Sequence, residues 1–451
     1  MSGALNRSRY SFFCDVEGNT VGYNARTGIF ALLGAEDAAL LRSSAPVSDG
    51  PERTELLRMG FLHDGSELGQ VGHRFATSRN RTDGLHLAIA PTMACDFCCA
   101  YCYEKHQTKT GAMSPATQDA LLRYLERSAM PSLEAIRVSW FGGEPLLALD
   151  VVASLTRRIQ VLADQHGVQI GRPMFISNGN QLTDSAISTL KDVGISRIQI
   201  SFDSLLHDPP RTRGVLMSNG EPSQLLTNAI RAAEEFDHLS IRVNVGPTNL
   251  GDVPQIVNTL VQHGLGDQTS LGRITEYHDI CACEDEITQF NHVFDQRLRT
   301  FSRIDMDTTT KLSQYGALFS RLKPKNTFCG AIARTMLVVG PVGDLYRCWH
   351  SLGCKAEAIG NLHSGIDKDG VDAAWQNFSP LSTSECRDCR VLPLCMGGCT
   401  HAKVFTGPIR TCEAIREQIE EVVNEACKLM PHVKPDLFGE DHTVDDHPSC
   451  S

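Results

Sequence analysis

Hydrophobic and polar positions change period along this chain. From Leu85 onward, short alternating or apolar stretches are each followed by a longer stretch with apolar residues three or four apart. "SRIQISFD" alternates Ile198, Ile200 and Phe202 with polar neighbours, as a half-buried strand does. "LTDSAISTLKDVG" places Leu182, Ala186, Leu190 and Val193 on one side and stops at Gly194, which predicts a helix. "SPATQDALLRYLERSA" opens a helix with Ser114 as cap and Pro115 at the first helical position. The predicted strands are "LHLAIAP", "IRVSWFGGEP", "PMFISNGN", "SRIQISFD", "LSIRVNV" and "GRITEYH". Strands separated by helices imply right-handed βαβ units, an α/β class and a parallel sheet. Ligands gather at the carboxyl ends of such strands, whether the sheet is open or closed into a barrel.

The flanks differ. "SRYSFFCDVEGNTVGYNARTGIFALLGAEDAALLRSS" and "PERTELLRMGFL" read as short strands with glycine turns, then small helices: a separate unit over residues 1–75. The core spans 82–300. Residues 325–430 are rich in turns, glycine and cysteine, and metal rather than apolar burial is expected to organise them. They include the amphipathic "CEAIREQIEEVVNEACKLM", and residues 436–451 read as a flexible acidic tail.

Composition narrows the function. The chain has 451 residues, enough for two or three domains, and 41% of them are hydrophobic. A net charge of -11 argues against a nucleic-acid partner. The first residues lack a signal peptide's apolar run, and no stretch is long enough to span a bilayer, so a cytoplasmic location is expected. In such a compartment 17 cysteines point to metal or redox chemistry rather than disulfides.

Four of them lie in "CDFCCAYCYEKH", on the loop after the first core strand. Four thiols suit tetrahedral zinc. Three, spaced Cys95-x3-Cys99-x2-Cys102, suit a [4Fe–4S] cube with one iron left open. That spacing, with Tyr101 before the last cysteine, resembles the signature of radical S-adenosylmethionine (SAM) enzymes. The resemblance implies a partial (β/α)6 TIM-like barrel whose cluster binds SAM and cleaves it to a 5'-deoxyadenosyl radical; Cys98 is surplus. It also assigns Gly142, Gly143 and Glu144 of "FGGEP" to SAM, with Ser177, Asn178, Ser201 and Asp203 near its ribose or the substrate. Arg211 of "HDPPR" resembles an arginine that meets the SAM carboxylate.

A second series reads Cys329, Cys348, Cys386, Cys389, Cys395, Cys399 and Cys412. Its order is similar to the SPASM extension of the same enzymes, which implies two auxiliary clusters. Cys386, Cys389, Cys395 and Cys412 would hold the outer one, and Cys329, Cys348 and Cys399 the inner one. The inner set lacks a clear fourth ligand; Cys354 or a substrate group could serve. Trp349 stands where sulfatase-maturing relatives carry an aspartate base, which counts against that activity.

Of the remaining cysteines, Cys14 and Cys427 read as apolar packing residues. Cys281 and Cys283 follow the sixth strand, and one of them is a candidate to give a hydrogen atom or proton to substrate or to touch a cluster. The N-terminal unit is similar to winged-helix peptide-recognition domains, which take a leader peptide as an added strand. The resemblance thus implies a maturase that oxidatively crosslinks a ribosomally made precursor peptide, through a thioether or carbon–carbon bond. Peptide epimerisation and oxidation of a protein side chain stay open beside it. An electron donor such as flavodoxin or ferredoxin is implied, and neither nucleic acid nor membrane.

Overall fold

A computed structural model of the chain describes residues 5–48, 50–99, 102–104, 110–205, 215–245, 249, 251–273, 319, 321–405 and 415–429. They fall into two compact units.

The first unit runs to Asn80 and includes the described parts of Lys311–Ala333 and Asn377–Cys450. Strands β1 (Ser11–Val16), β2 (Asn19–Asn24) and β3 (Ile29–Leu33) form an antiparallel sheet. Glu17 and Gly18, at φ 50° and 82°, make the two-residue turn between β1 and β2. Helices α1 (Ala35–Arg42) and α2 (Glu67–Arg79) follow, the second capped by the Ser66 hydroxyl accepting from Gly69 N–H at 3.0 Å. Strand alternation sends Phe12 and Cys14 to one face of the sheet and Phe13 to the other. The first face packs on Val71 and Phe75 of α2 and on Ile419, Val422, Val423 and Ala426 of the helix Ile415–Leu429. The second packs on Leu41, Val47, Leu56 and Phe61. Gly22 leaves room for the Phe61 ring, which a Cβ there would meet at 2.8 Å.

This packing corrects two expectations. Cys14 and Cys427 are not free packing residues: they form a disulfide, with Cα atoms 6.8 Å apart. Cys14 shares its face with Phe12, and Cys427 lies in the buried stripe of the helix that covers that face, so the two thiols meet. The cysteine-rich region is also organised by apolar burial. Ile332, Val391, Leu392, Leu394 and Met396 join the same cluster. Residues 334–376 belong to the other unit altogether.

Among the described residues of the second unit, a run of parallel strands comprises β4 (Gly84–Ile89), β5 (Ala135–Trp140), β6 (Met174–Ser177), β7 (Arg197–Phe202), β8 (His238–Val245) and β9 (Thr269–Arg273). They pair in chain order, each parallel to the next. The last begins at Thr269, ahead of the expected "GRITEYH". Crossover helices α3 (Pro115–Tyr124), α4 (Leu149–His166), α5 (Asp184–Asp192), α6 (Gln224–Glu235) and α7 (Val253–Gln262) connect them. Alternate strand residues such as Leu87, Val138, Ile198, Ile200, Ile241 and Val243 are buried. The opposite face carries His86, Arg137, Ser139, Gln199, Ser201, Arg242 and Asn244. On the far edge, β10 (Met336–Val339) pairs parallel with β4 and antiparallel with β11 (Asp344–Tyr346). A buried ion pair, Arg347 Nε to Asp372 Oδ1 at 2.7 Å, secures this addition, and Arg347 Nη1 also donates to the Met336 carbonyl. Among the described residues, no helix is long and apolar enough to cross a membrane.

Candidate functional site

The carboxyl ends of β4, β5 and β6 build one site. The loop after β4 carries Cys95, Cys99 and Cys102, all at least partly buried, and an exposed Cys98. Cys102 N–H donates to the Cys99 carbonyl at 3.2 Å, which folds the last two cysteines into one turn. Cys95 Sγ accepts from Phe97 N–H at 3.5 Å and from Asn178 Nδ2 at 4.0 Å.

The Gly142–Gly143–Glu144 turn after β5 lies directly against this loop. Gly143 N–H donates to the Thr92 carbonyl at 3.1 Å, and Glu144 N–H to the Ala94 carbonyl at 2.8 Å. A Cβ on Gly143 would stand 2.2 Å from the Ala94 oxygen; Gly142, at φ 108°, would drive one to 2.7 Å from Ala90. Both glycines therefore serve close approach between two backbone segments. Glu144 is fully buried, and its carboxylate accepts from Leu146 N–H (3.0 Å), the Ser177 hydroxyl (2.9 Å) and Asn178 N–H (2.7 Å). It fixes the end of β6 relative to the end of β5.

The loop after β6 returns the contact. Asn178 Nδ2 donates to Asp96 Oδ1 at 2.7 Å, while Asn180 Nδ2 and Gln181 Nε2 donate to Asp96 Oδ2 at 2.8 and 3.4 Å. Burial would raise the Asp96 carboxyl, but the donors Asn180, Asn178 and Gln181 outweigh it and hold the group below its usual range. Ser201 and Asp203, buried at the end of β7, extend the same rim, and the Asp203 carbonyl accepts from Asn249 Nδ2 at 2.7 Å.

The polar face of the sheet below the rim is also structured. His86 Nε2 and Ser139 Oγ are 2.8 Å apart. Burial, then the nearby Arg137, lowers the His86 pKa to about 4, so the imidazole is neutral near pH 7. The Trp349 ring packs on Phe141 at 4.4 Å and approaches His86 at 6.0 Å, and its neighbour His350 packs on Tyr103 at 4.6 Å. The position after Cys348 thus presents an apolar ring to this face and no base.

The second cysteine series divides between the units. Cys348 and Cys354 lie in the core; burial, then the adjacent Glu357, raises the Cys354 thiol above its usual range. Cys329, Cys386, Cys389, Cys395 and Cys399 lie in the other unit. There Cys389 N–H donates to the Cys386 carbonyl at 3.2 Å, and Lys403 Nζ stands 4.0 Å from Cys386 Sγ. Met396, Gly397 and Gly398, all at positive φ, reverse the chain between Cys395 and Cys399. Tyr101, Arg211, Cys281, Cys283 and Cys412 lie outside the described residues.

Among the described residues, no three Cys, His, Asp or Glu side chains converge on a point fit for a single metal ion. Three partly or fully buried thiols beside an exposed fourth fit a cube held by three thiolates with one iron open. Sequence reasoning passed over Asp96, Asn180 and Gln181. Their signal was present as an acid directly after the first cysteine and amide side chains in "SNGNQ".

A sequence profile of the radical SAM superfamily matches residues 89–260. Mycofactocin maturase MftC of Mycobacterium tuberculosis is 25% identical over 333 residues, which cover 70% of this chain and 78% of that protein. GTP 3',8-cyclase 1 of Pseudomonas aeruginosa is 30% identical over 183 residues, covering 40% of this chain and 52% of the cyclase. Among solved structures, anSMEcpe with bound AdoMet matches with a TM-score of 0.55 at 16% identity, over 79% of this chain and 97% of that one. That likeness extends the shared fold well beyond the profile's bounds.

Proposed function

From a chain that belongs to the radical SAM superfamily, we propose an enzyme that matures a ribosomally made precursor peptide in the cytoplasm, by an oxidative crosslink. The observation that carries this reading is the Cys95–Cys102 loop, locked by Gly143, Glu144 and Asn178 at the carboxyl ends of the core strands. The similarity to mycofactocin maturase MftC, over most of both chains, supports the substrate class. A solved form of anSMEcpe with bound AdoMet and Cp18Cys peptide, TM-score 0.52 at 17% identity, has the same fold.

Cys95, Cys99 and Cys102 would hold the SAM-binding [4Fe–4S] cluster, which supplies, when bound, the electron that splits SAM into methionine and the radical that takes a substrate hydrogen. Glu144 holds the ends of β5 and β6 in place, and Ser201 and Asp203 border the same rim. Trp349 places an indole rather than a carboxylate directly after Cys348. The cysteine series from Cys329 to Cys412 would hold two auxiliary clusters able to accept the electron an oxidative crosslink leaves over. In the first unit, β3 is the sheet edge open to a leader peptide. Leu32 there is 70% exposed, whereas at the β1 edge Arg390 Nη2 already donates to the Ser11 carbonyl at 2.8 Å.

Anaerobic co-expression with a short peptide encoded beside the gene tests the proposal. A loss of about two daltons per event, two hydrogens, is expected on the peptide. Unchanged mass with deuterium uptake would make the enzyme an epimerase. SAM left intact under strong reductant would end the radical reading.

A further inference from the structure

Asn178 was expected near the SAM ribose or the substrate, yet its side-chain amide is fully engaged elsewhere. Nδ2 donates to Asp96 Oδ1 at 2.7 Å and faces Cys95 Sγ at 4.0 Å, and Oδ1 accepts from Asn180 N–H at 2.8 Å. The backbone N–H is held by Glu144 at 2.7 Å, and the residue has no solvent exposure. Such an amide cannot swing toward a ligand without giving up its bonds to Asp96 and Asn180 from a position that has no exposure to water. We propose that Asn178 is a positioning residue for the SAM-binding cluster: held in place by Asp96, it directs an N–H at the Cys95 sulfur and raises the cluster's reduction potential. The inference rests on the radical SAM reading, and more narrowly on Cys95 being a ligand.

The physical reason is charge. A cluster gains an electron on reduction, so a donor dipole aimed at a ligating sulfur favours the reduced form. Phe97 N–H, 3.5 Å from the same sulfur, acts in the same sense but is backbone. Asp96 has two opposing effects. Its negative charge disfavours reduction, whereas its grip on Asn178 favours it.

The test is a redox titration of the anaerobically reconstituted full-length protein. It follows the electron paramagnetic resonance signal whose shape changes on adding SAM, which separates this cluster from any other. Asn178→Leu is expected to lower the reduced-to-oxidised ratio about tenfold at fixed potential, a shift of about 59 mV for one electron. Asp96→Asn is expected to shift the potential differently in the wild-type and N178L backgrounds. In N178L only the loss of negative charge remains, and the potential rises. Equal shifts in both backgrounds would overturn the coupling. A full complement of iron in N178L with an unmoved potential would overturn the N–H to sulfur role. Should N178L fail to fold, D96N alone decides: a rise as large as loss of a surface charge elsewhere on the loop gives would sink the idea. If the wild type yields no SAM-responsive signal, the cluster assignment itself fails, and the inference with it.

Discussion

The two units of this chain are stabilised in different ways. The core is written locally: each strand pairs with a near neighbour in sequence, and the long-range addition β10 is tied down by the Arg347–Asp372 pair. The other unit joins the ends of the chain. Its sheet near residue 12 is buried by a helix beyond residue 415, and a disulfide links positions 413 residues apart. Regular ladders leave one sheet face polar and available for chemistry. The end-joined unit spends both sheet faces on burial.

Substitutions can break this contrast in graded steps. All three tryptophans, Trp140, Trp349 and Trp375, lie in the core, so their fluorescence reports that unit. Asp372→Ala strands the buried Arg347 guanidinium and should cost about 3–5 kcal/mol. The check is urea denaturation read by tryptophan emission. Cys14→Ala with Cys427→Ala should cost about 2–4 kcal/mol. That loss is expected in amide exchange of residues 415–429, with the tryptophan transition unmoved. A shared shift in both probes would show that the units unfold as one. Gly143→Ala forces apart backbone that would otherwise lie 2.2 Å from its new Cβ. About 1–3 kcal/mol of destabilisation is expected, with lowered iron uptake per chain.

The smallest effect depends on pH. His86 titrates at about 4 when folded, below its ordinary 6.5, because burial and Arg137 oppose its charge. Above 6.5 it is neutral in both states and contributes nothing. Between 6.5 and 4 the unfolded chain takes up a proton that the fold refuses, so stability falls as pH drops, by at most about 2 kcal/mol at pH 5. Thermal melts at pH 7 and pH 5 should therefore lie closer together for His86→Gln than for the wild type.

These contrasts also explain what the sequence made legible. The period-two strands around Ile198 and Ile241 were read directly, because one face is apolar and the other polar. "MLVV" at Met336–Val339 escaped, since four consecutive buried apolar residues carry no period. The Cys14–Cys427 bond escaped because nothing in either neighbourhood names a partner 413 residues away. At the site, the cysteine spacing was plain. The role of Asp96 was not, since its partners lie on another loop across the sheet edge and only the fold joins them.

The order of biosynthesis gives the end-joined unit a last consequence. Its sheet is complete once residue 33 has been made, but the helix that covers its first face starts at residue 415. At roughly 5–20 residues per second, the nascent strands wait roughly 20–75 s on the ribosome with Phe12 and Tyr23 covered by α2 alone. The growing chain must keep that apolar face from aggregating until its own last segment emerges, so truncation near the carboxyl end should harm the amino-terminal sheet first.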